Sequence, residues 1–330
     1  MRIVYISRTN QKSDMTELFI RATWSGDVKE VARKLEVSFA VNAGDPYFPK
    51  LYMDLGEMLM VIDDQGKELW RGYIFAKSKS LSGTEITYTA YDGLIYLTKS
   101  KVSKNFKQMT AEQITNLMCK EFGVPVGKLA KTNIPQSFVH MGKTVYEAIM
   151  TGYTLASSRT KRKYMPRMRE GKLDLVLLGE TVAKRILTAE TDLLESTVDE
   201  SIDAMINRVL IVNETGGVER IVDNVPWVEK YGRMQEVYQK EEGKDANQEA
   251  KSRLYGMDRA ASVQVIGGRD AYDLVAGNAV RMIEDVTGMT GLFYIENDSH
   301  SFENGTHTLN LRLNFEKVMD EYTPDEQGGI

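Results

Sequence analysis

The chain is poor in the residues that usually do chemistry. It has one cysteine, three histidines and seven prolines in 330 residues. A single cysteine excludes an internal disulfide. Cys119 lies in Ile114–Cys119, on the apolar side of an expected helix, and reads as a buried, inert thiol. Three histidines with one cysteine make no zinc signature. No apolar run approaches the ~20 residues that span a bilayer. The first residues lack a signal peptide's long apolar stretch and cleavage site, so the expectation is synthesis and assembly in the cytoplasm. The net charge of −5 gives no general reason to bind nucleic acid. Motifs for a nucleophile elbow, a zinc protease or a phosphate loop are missing, and Gly267-Gly268 and Gly288 to Gly291 read as turns.

What remains is an ordinary globular composition, 42% hydrophobic and 27% charged, long enough for two or three domains. Residues 1–100 read as a β domain. Strands are expected at Arg2–Ser7, Leu18–Trp24, Leu35–Val41, Met58–Ile62, Glu68–Ala76 and Glu85–Tyr91. Turns are expected at Ser25-Gly26-Asp27, Asp63–Gly66 and Ser80–Gly83. Strands this short at this spacing point to a small barrel or sandwich.

Residues 101–184 read as an α+β insert. Thr110 with Gln113 forms a capping box ahead of Ile114, Leu117, Met118 and Phe122 at helical spacing. A second helix is expected from Thr144 to Ser157, then a hairpin of Lys163–Arg169 with Lys172–Leu178. Residues 185–330 return to β. Strands are expected at Asn207–Asn213, Val218–Val222 and Ser262–Ile266, with a polar helix ending near Gly256. The tail Asp325–Ile330 carries no core residues and is expected to be mobile unless a partner holds it.

A faint internal echo runs through this plan. The stretch from Gly56 to Asp64 reappears from Gly277 to Asp285, an offset of 221 residues. Tyr73-Ile74 lands on Tyr294-Ile295 at the same offset. Gly83-Thr84 lands on Gly305-Thr306 at 222, and Ile86, Tyr88 and Ala90 land on Leu309, Leu311 and Leu313 at 223. A strand–turn–strand–turn–strand unit therefore occurs twice. Two copies this far apart suggest two similar domains rather than a solenoid.

Several constellations invite a chemical reading. Asp63/Asp64 and Glu284/Asp285 are paired acids, but they fall at equivalent turns, where Asp favours the turn itself. His300 and His307 flank Asn304-Gly305 in a hairpin and can approach each other, with Asp298 nearby. Without signature spacing they read as surface or interface polar residues. Arg159, Lys161, Arg162, Lys163, Arg167 and Arg169, with Lys172, form a basic run in an acidic chain and are the candidate partner-contact residues. A solvated hairpin, an acidic protein neighbour and nucleic acid all stay open for it.

Four groups of residues carry a family resemblance. They are Ser100–Phe106 with Met109–Ile114, Thr144–Met150, Ile202–Val209 with Lys230–Gly232, and Gly291–Ile295 with His300–Phe302. They resemble the baseplate hub proteins of contractile phage tails, the XkdQ/YqbQ type of PBSX-like prophages and tail-derived bacteriocins, grouped with the late control protein D hubs. The basic run has no counterpart in that family. The resemblance implies two similar small β-barrels flanking the α+β insert, in a structural protein without catalytic, metal or cofactor residues. It implies a homotrimer whose six barrels join a sixfold tail tube to a trimeric spike among other baseplate proteins. Such a protein would be part of a tail particle, with no membrane and no specific nucleic-acid partner. The alternatives are a tail-associated cell-wall hydrolase and a peptidoglycan-binding module centred on residues 101–184.

Overall fold

The computed structural model describes residues 1–30, 32–42, 44–80, 84–241 and 245–325. The chain opens with β1 (Arg2–Ile6), β2 (Lys12–Asp14), β3 (Phe19–Asp27), β4 (Lys34–Ala40), β5 (Met58–Ile62), β6 (Glu68–Lys79) and β7 (Glu85–Tyr91). It continues through α1 (Leu94–Lys99), β8 (Lys101–Met109), α2 (Ala111–Glu121), β9 (Val126–Leu129), β10 (Gln136–Thr144), α3 (Val145–Thr160), β11 (Tyr164–Arg169) and β12 (Lys172–Leu177). Then come β13 (Val182–Thr188), β14 (Leu193–Ser201), β15 (Arg208–Val212), β16 (Val218–Asp223), α4 (Val225–Tyr231), β17 (Gln235–Gln239) and α5 (Ala246–Arg253). The last strands are β18 (Asp258–Ile266), β19 (Ala279–Ile283), β20 (Gly291–Glu303) and β21 (Thr306–Asn314). The fold is α+β and dominated by strands.

Contacts divide the chain into two compact units, Met1–Ser196 with Ser262–Ile330, and Thr197–Ala261. The first strands alternate as a half-buried sheet requires. Ile86, Tyr88 and Ala90 of β7 are buried, and Leu35, Val37 and Phe39 of β4 face the same way. Ile3, Trp24, Leu59, Val61, Trp70 and Ile74 join them in one cluster. Six strands of one sheet feeding one core means that the sheet curls on itself.

Within residues 101–184, sequence and capping agree. The Thr110 side chain accepts from the Gln113 amide, and the Gln113 side chain returns the contact to the Thr110 backbone. Thr144 and Glu147 make the same box for α3. Gly152 lets α3 approach α2 closely, since a Cβ there would stand 3.4 Å from Ala111. Sheets β8–β10 and β9–β12–β11 pack around these helices.

In the unit Thr197–Ala261, β15 pairs antiparallel with β16 and parallel with β17. Val209, Ile211, Val222, Tyr238 and Ala250 form its core. Buried Asn207 ties it together, donating to the Gly232 carbonyl at 2.7 Å and accepting from the Met234 amide at 2.9 Å.

Some local expectations shift. Ser25-Gly26-Asp27 is not a turn: β3 runs through it to Asp27, all three residues paired with β20 and Ser25 with β4 as well. The glycine serves packing instead, because a Cβ there would lie 2.3 Å from the Arg33 guanidinium. Of the turn expected at Ser80–Gly83, residues 81–83 lie outside the described residues, as do 326–330 of the expected tail. Asp325 is held, accepting from the Met141 amide at 2.8 Å and pairing with Lys143.

The echo is a duplication of backbone geometry. In the first copy Met58 faces Tyr73 and Leu59 faces Gly72; in the second Ala279 faces Tyr294 and Val280 faces Phe293. The third strands follow suit: Tyr73 faces Tyr91 and Ile74 faces Ala90, while Tyr294 faces Asn314 and Ile295 faces Leu313. Both ladders then slip by one residue, at Phe75 and at Glu296. Gly56 and Gly277 share φ near +85°, at +83° and +87°. Each donates a backbone hydrogen bond to the matching strand: Gly56 N–H to the Ile74 carbonyl at 2.8 Å, Gly277 N–H to the Ile295 carbonyl at 2.9 Å. Sheet order repeats too, β3-β4-β7-β6-β5 against β14-β18-β21-β20-β19. The copies differ beyond that run: β1 lies antiparallel to β5, whereas β13 lies parallel to β19.

Candidate assembly interface

The two copies meet along β20 and β3, which pair antiparallel from Asn297 opposite Asp27 to Glu303 opposite Arg21. This seam starts directly after the slipped residue Glu296, where β20 leaves β19 behind. Its inward face is enclosed and sets polar Asp298 and His300 beside Trp24, Ala22 and Phe302. Asp298 is 0% exposed and accepts from Arg33 Nη1 at 2.9 Å and from the Ala276 amide at 2.6 Å, with a second contact from Arg33 Nη2. The Arg33 guanidinium also lies over the Trp24 ring, 4.0 Å from its centre.

His300 stands next along the seam, also 0% exposed and packed 4.9 Å from the Trp24 ring. Its Nε2 lies 3.1 Å from the Leu274 carbonyl, which fixes that nitrogen as a donor. Its Nδ1 then accepts from His307 Nε2 at 3.1 Å. His307 is stacked on Phe302 at 4.1 Å and on Tyr272 at 5.6 Å. Burial, with Arg33 nearby, pushes His300 well below the ordinary imidazole value, and burial lowers His307 to about 4. At neutral pH both rings are uncharged links in a buried chain. The hairpin brought them together as their spacing implies, with His300 enclosed in the seam and His307 half-buried beside it on β21.

One acid of each pair is used by its turn, while Asp64 pairs with the Met1 ammonium at 3.0 Å and with Arg269 at 3.3 Å. Asp63 accepts from the Gln65 amide at 2.9 Å and the Lys67 amide at 2.8 Å. Glu284 accepts from the Val286 amide at 2.6 Å and the Thr287 amide at 3.0 Å, and its carboxyl is held below the usual range by Thr287. Among the described residues, no three His, Cys, Asp or Glu side chains converge as a metal centre requires. Among the described residues, no helix is long and apolar enough to cross a membrane.

The basic run divides into two sets. Arg167 turns inward, donating to the Ala276 carbonyl at 2.7 Å and to Asn278 at 3.0 Å, and burial lowers it to about 10. Lys163 pairs with Glu321, and Arg169 with Asp174 at 3.5 Å. Arg159, Lys161 and Arg162 stand exposed around the C-terminus of α3, with Lys161 in the left-handed conformation at φ +59°.

Two features lay outside the reach of local pattern. The first is an open edge. Ala76–Lys79, the part of β6 beyond its own slipped residue, corresponds to the seam portion of β20 but is exposed. The second is apolar surface: Tyr47 is 93% exposed, Tyr52 76% and Val286 94%.

Sequence comparison places these features in a lineage. The profile described as YQBQ-like covers residues 22–314. The chain belongs to the YQBQ-like family. Protein YqbQ of Bacillus subtilis strain 168 is 25% identical over 260 residues, covering 75% of this chain and 78% of its own. The phage-like element PBSX protein XkdQ of the same organism is 23% identical over 306 residues, 88% of this chain and 91% of its own. Among solved structures, the 43 kDa tail protein of prophage MuSo2 from Shewanella oneidensis superposes with a TM-score of 0.70. It shares 15% identity, with 95% of this chain and 97% of that one covered. The fold of this family member is that of a prophage tail protein.

Proposed function

We propose that the chain is a structural baseplate hub of a contractile tail, joining a sixfold tube to a trimeric spike as a homotrimer. The duplicated module with one sealed and one open edge carries this reading. A repeated contact requires a repeated shape, and two modules per chain let three chains present six similar faces. We keep the three-part division, with modules in 1–100 and 185–330 around the insert 101–184. The tail context comes from XkdQ, named as a protein of a phage-like element, and from the tail-protein fold. Exposed Tyr47, Tyr52 and Val286 suit contacts with other tail proteins. Arg159, Lys161 and Arg162 suit an acidic neighbour, because a DNA-passing channel lined with them would bind its cargo too tightly. This role calls for no catalytic step: Asp63 and Glu284 serve their turns, Asp64 is held in ion pairs, and His300 is enclosed in the seam.

Affinity purification of the tagged chain from cells expressing its tail genes tests the reading. Tube and spike proteins are expected to co-purify. Their absence, together with a clearing band on a cell-wall zymogram, would replace the hub with the hydrolase alternative.

A further inference from the structure

The sealed seam is a template for the open edges. Backbone contacts fix how the second module maps onto the first at its outer strands. The Ala40 N–H donates to the Leu18 carbonyl at 2.8 Å, as the Ile266 N–H does to Asp192. The Val41 N–H donates to Thr84 at 2.8 Å, as the Gly267 N–H does to His307. These contacts align Leu18 with Asp192, and counting on from there sets β3, Phe19–Asp27, against β14, Leu193–Ser201, with Glu200 at the place of Gly26. The slipped residues lay Ala76–Lys79 onto Asn297–His300. In the sheet order β3 is flanked on both sides, whereas β14 is the terminal strand.

Exposure follows the pairing. Asp298 and His300 are 0% exposed in the seam, while their counterparts Lys77 and Lys79 are exposed. Ala22 and Trp24 are buried, while their counterparts Ser196 and Val198 are half-buried. The missing neighbour is thus a strand on each side, and the two sides complement each other. One carries Lys77 and Lys79; the other carries Glu195, Asp199 and Glu200.

Resting on the trimeric reading above, we propose that β6 of one chain pairs antiparallel with β14 of a second copy in the register of the seam. Ala76 then faces Ser201, Lys77 faces Glu200, Ser78 faces Asp199 and Lys79 faces Val198 of the neighbouring copy. The charges are inverted relative to the seam. Within the chain an acid on β20, Asp298, meets Arg33, for which Gly26 leaves room. Between chains a base on β6, Lys77, meets Glu200, which stands at the position of Gly26. Glu200 is already oriented by Arg259 at 2.7 Å, the residue that corresponds to Arg33. The inversion keeps the junctions from exchanging partners, because Lys77 set against Arg33 would place like charges together. The contact joins two different edges, so it repeats head to tail and closes as a ring.

Cysteines report the register. Facing residues of antiparallel strands stand about 4.5–5.5 Å apart at Cα, within disulfide reach. Ser78→Cys with Asp199→Cys is introduced into the full chain expressed with its tail genes, and purified tails are oxidised. Covalently linked trimers are expected from the double variant and monomers from either single variant; native Cys119 is buried and burial raises it to about 12. A trimeric hub that stays unlinked in the double variant overturns the strand pairing and leaves the hub reading standing. Tails that lack the chain altogether overturn both. Lys77→Glu should lower the yield of assembled tails about tenfold through three weakened junctions, and Glu200→Lys added to it should restore the yield. A yield unchanged by Lys77→Glu, or a loss that Glu200→Lys does not restore, contradicts the proposed pair.

Discussion

Strands β6 and β20 hold the same place in two copies of one strand order within a single sheet, with equivalent facing positions and the same slip. Beyond the slip their sequences part. In β20 the strand carries Asn297, Asp298, Ser299 and His300 against a neighbour in the same chain; in β6 it carries exposed Ala76, Lys77, Ser78 and Lys79, with the Lys77 ammonium reaching back to the Met53 carbonyl at 3.0 Å. Backbone register is set by the alternating core residues and the glycine at the start of each module, which both copies keep. Edge chemistry is set by what lies opposite, and there the copies have diverged. A duplication of this kind conserves the frame and differentiates the seams.

Removing the same position from both copies gives the largest contrast. Asp298→Ala strands the Arg33 charge in the interior and should cost about 3–5 kcal/mol in denaturant unfolding. Lys77→Ala, at the equivalent exposed position, loses one hydrogen bond to the Met53 carbonyl at 3.0 Å and should cost about 0.5–1.5 kcal/mol in the isolated chain. Equal costs would break the comparison.

Acid should act on the seam and spare the open edge. His307 titrates near 4 when folded and near 6.5 when unfolded, so the unfolded chain takes up protons first as pH falls. Stability is therefore full above about pH 6.5 and declines toward about pH 4, and burial of His300 extends the decline. Unfolding midpoints measured across this window should flatten in His307→Gln.

The smaller contrast lies at the module glycines. Gly56→Ala and Gly277→Ala both place a side chain at φ above +80° and should each cost about 1–2 kcal/mol. Gly277→Ala should cost about 1 kcal/mol more, because its Cβ would stand 2.5 Å from Met165 Sδ while Gly56 has open space. Chemical denaturation of the two variants side by side checks the difference.

The duplication was legible because paired turns and alternating strands recur at a nearly constant offset. The Thr110 box and the hairpin of Tyr164–Arg169 with Lys172–Leu177 were legible for the same reason: each is specified locally. Strands β8, β10 and β14 were not, since their apolar residues are few and their faces are completed by distant segments. Helix α1 has only six residues, too few for a periodic signal. The Arg33–Asp298 pair joins residues 265 positions apart, and no spacing rule reaches that far. The basic run looked like one feature in sequence, yet Arg167 turns inward while Arg159 and Arg162 face out, because alternation along β11 and the end of α3 separate them.

A three-dimensional reconstruction of the assembled tail counts this chain in the layer between tube and spike. The account predicts three copies there, presenting six modules whose junctions alternate within and between chains. Six copies of the chain in that layer, or none, would contradict it.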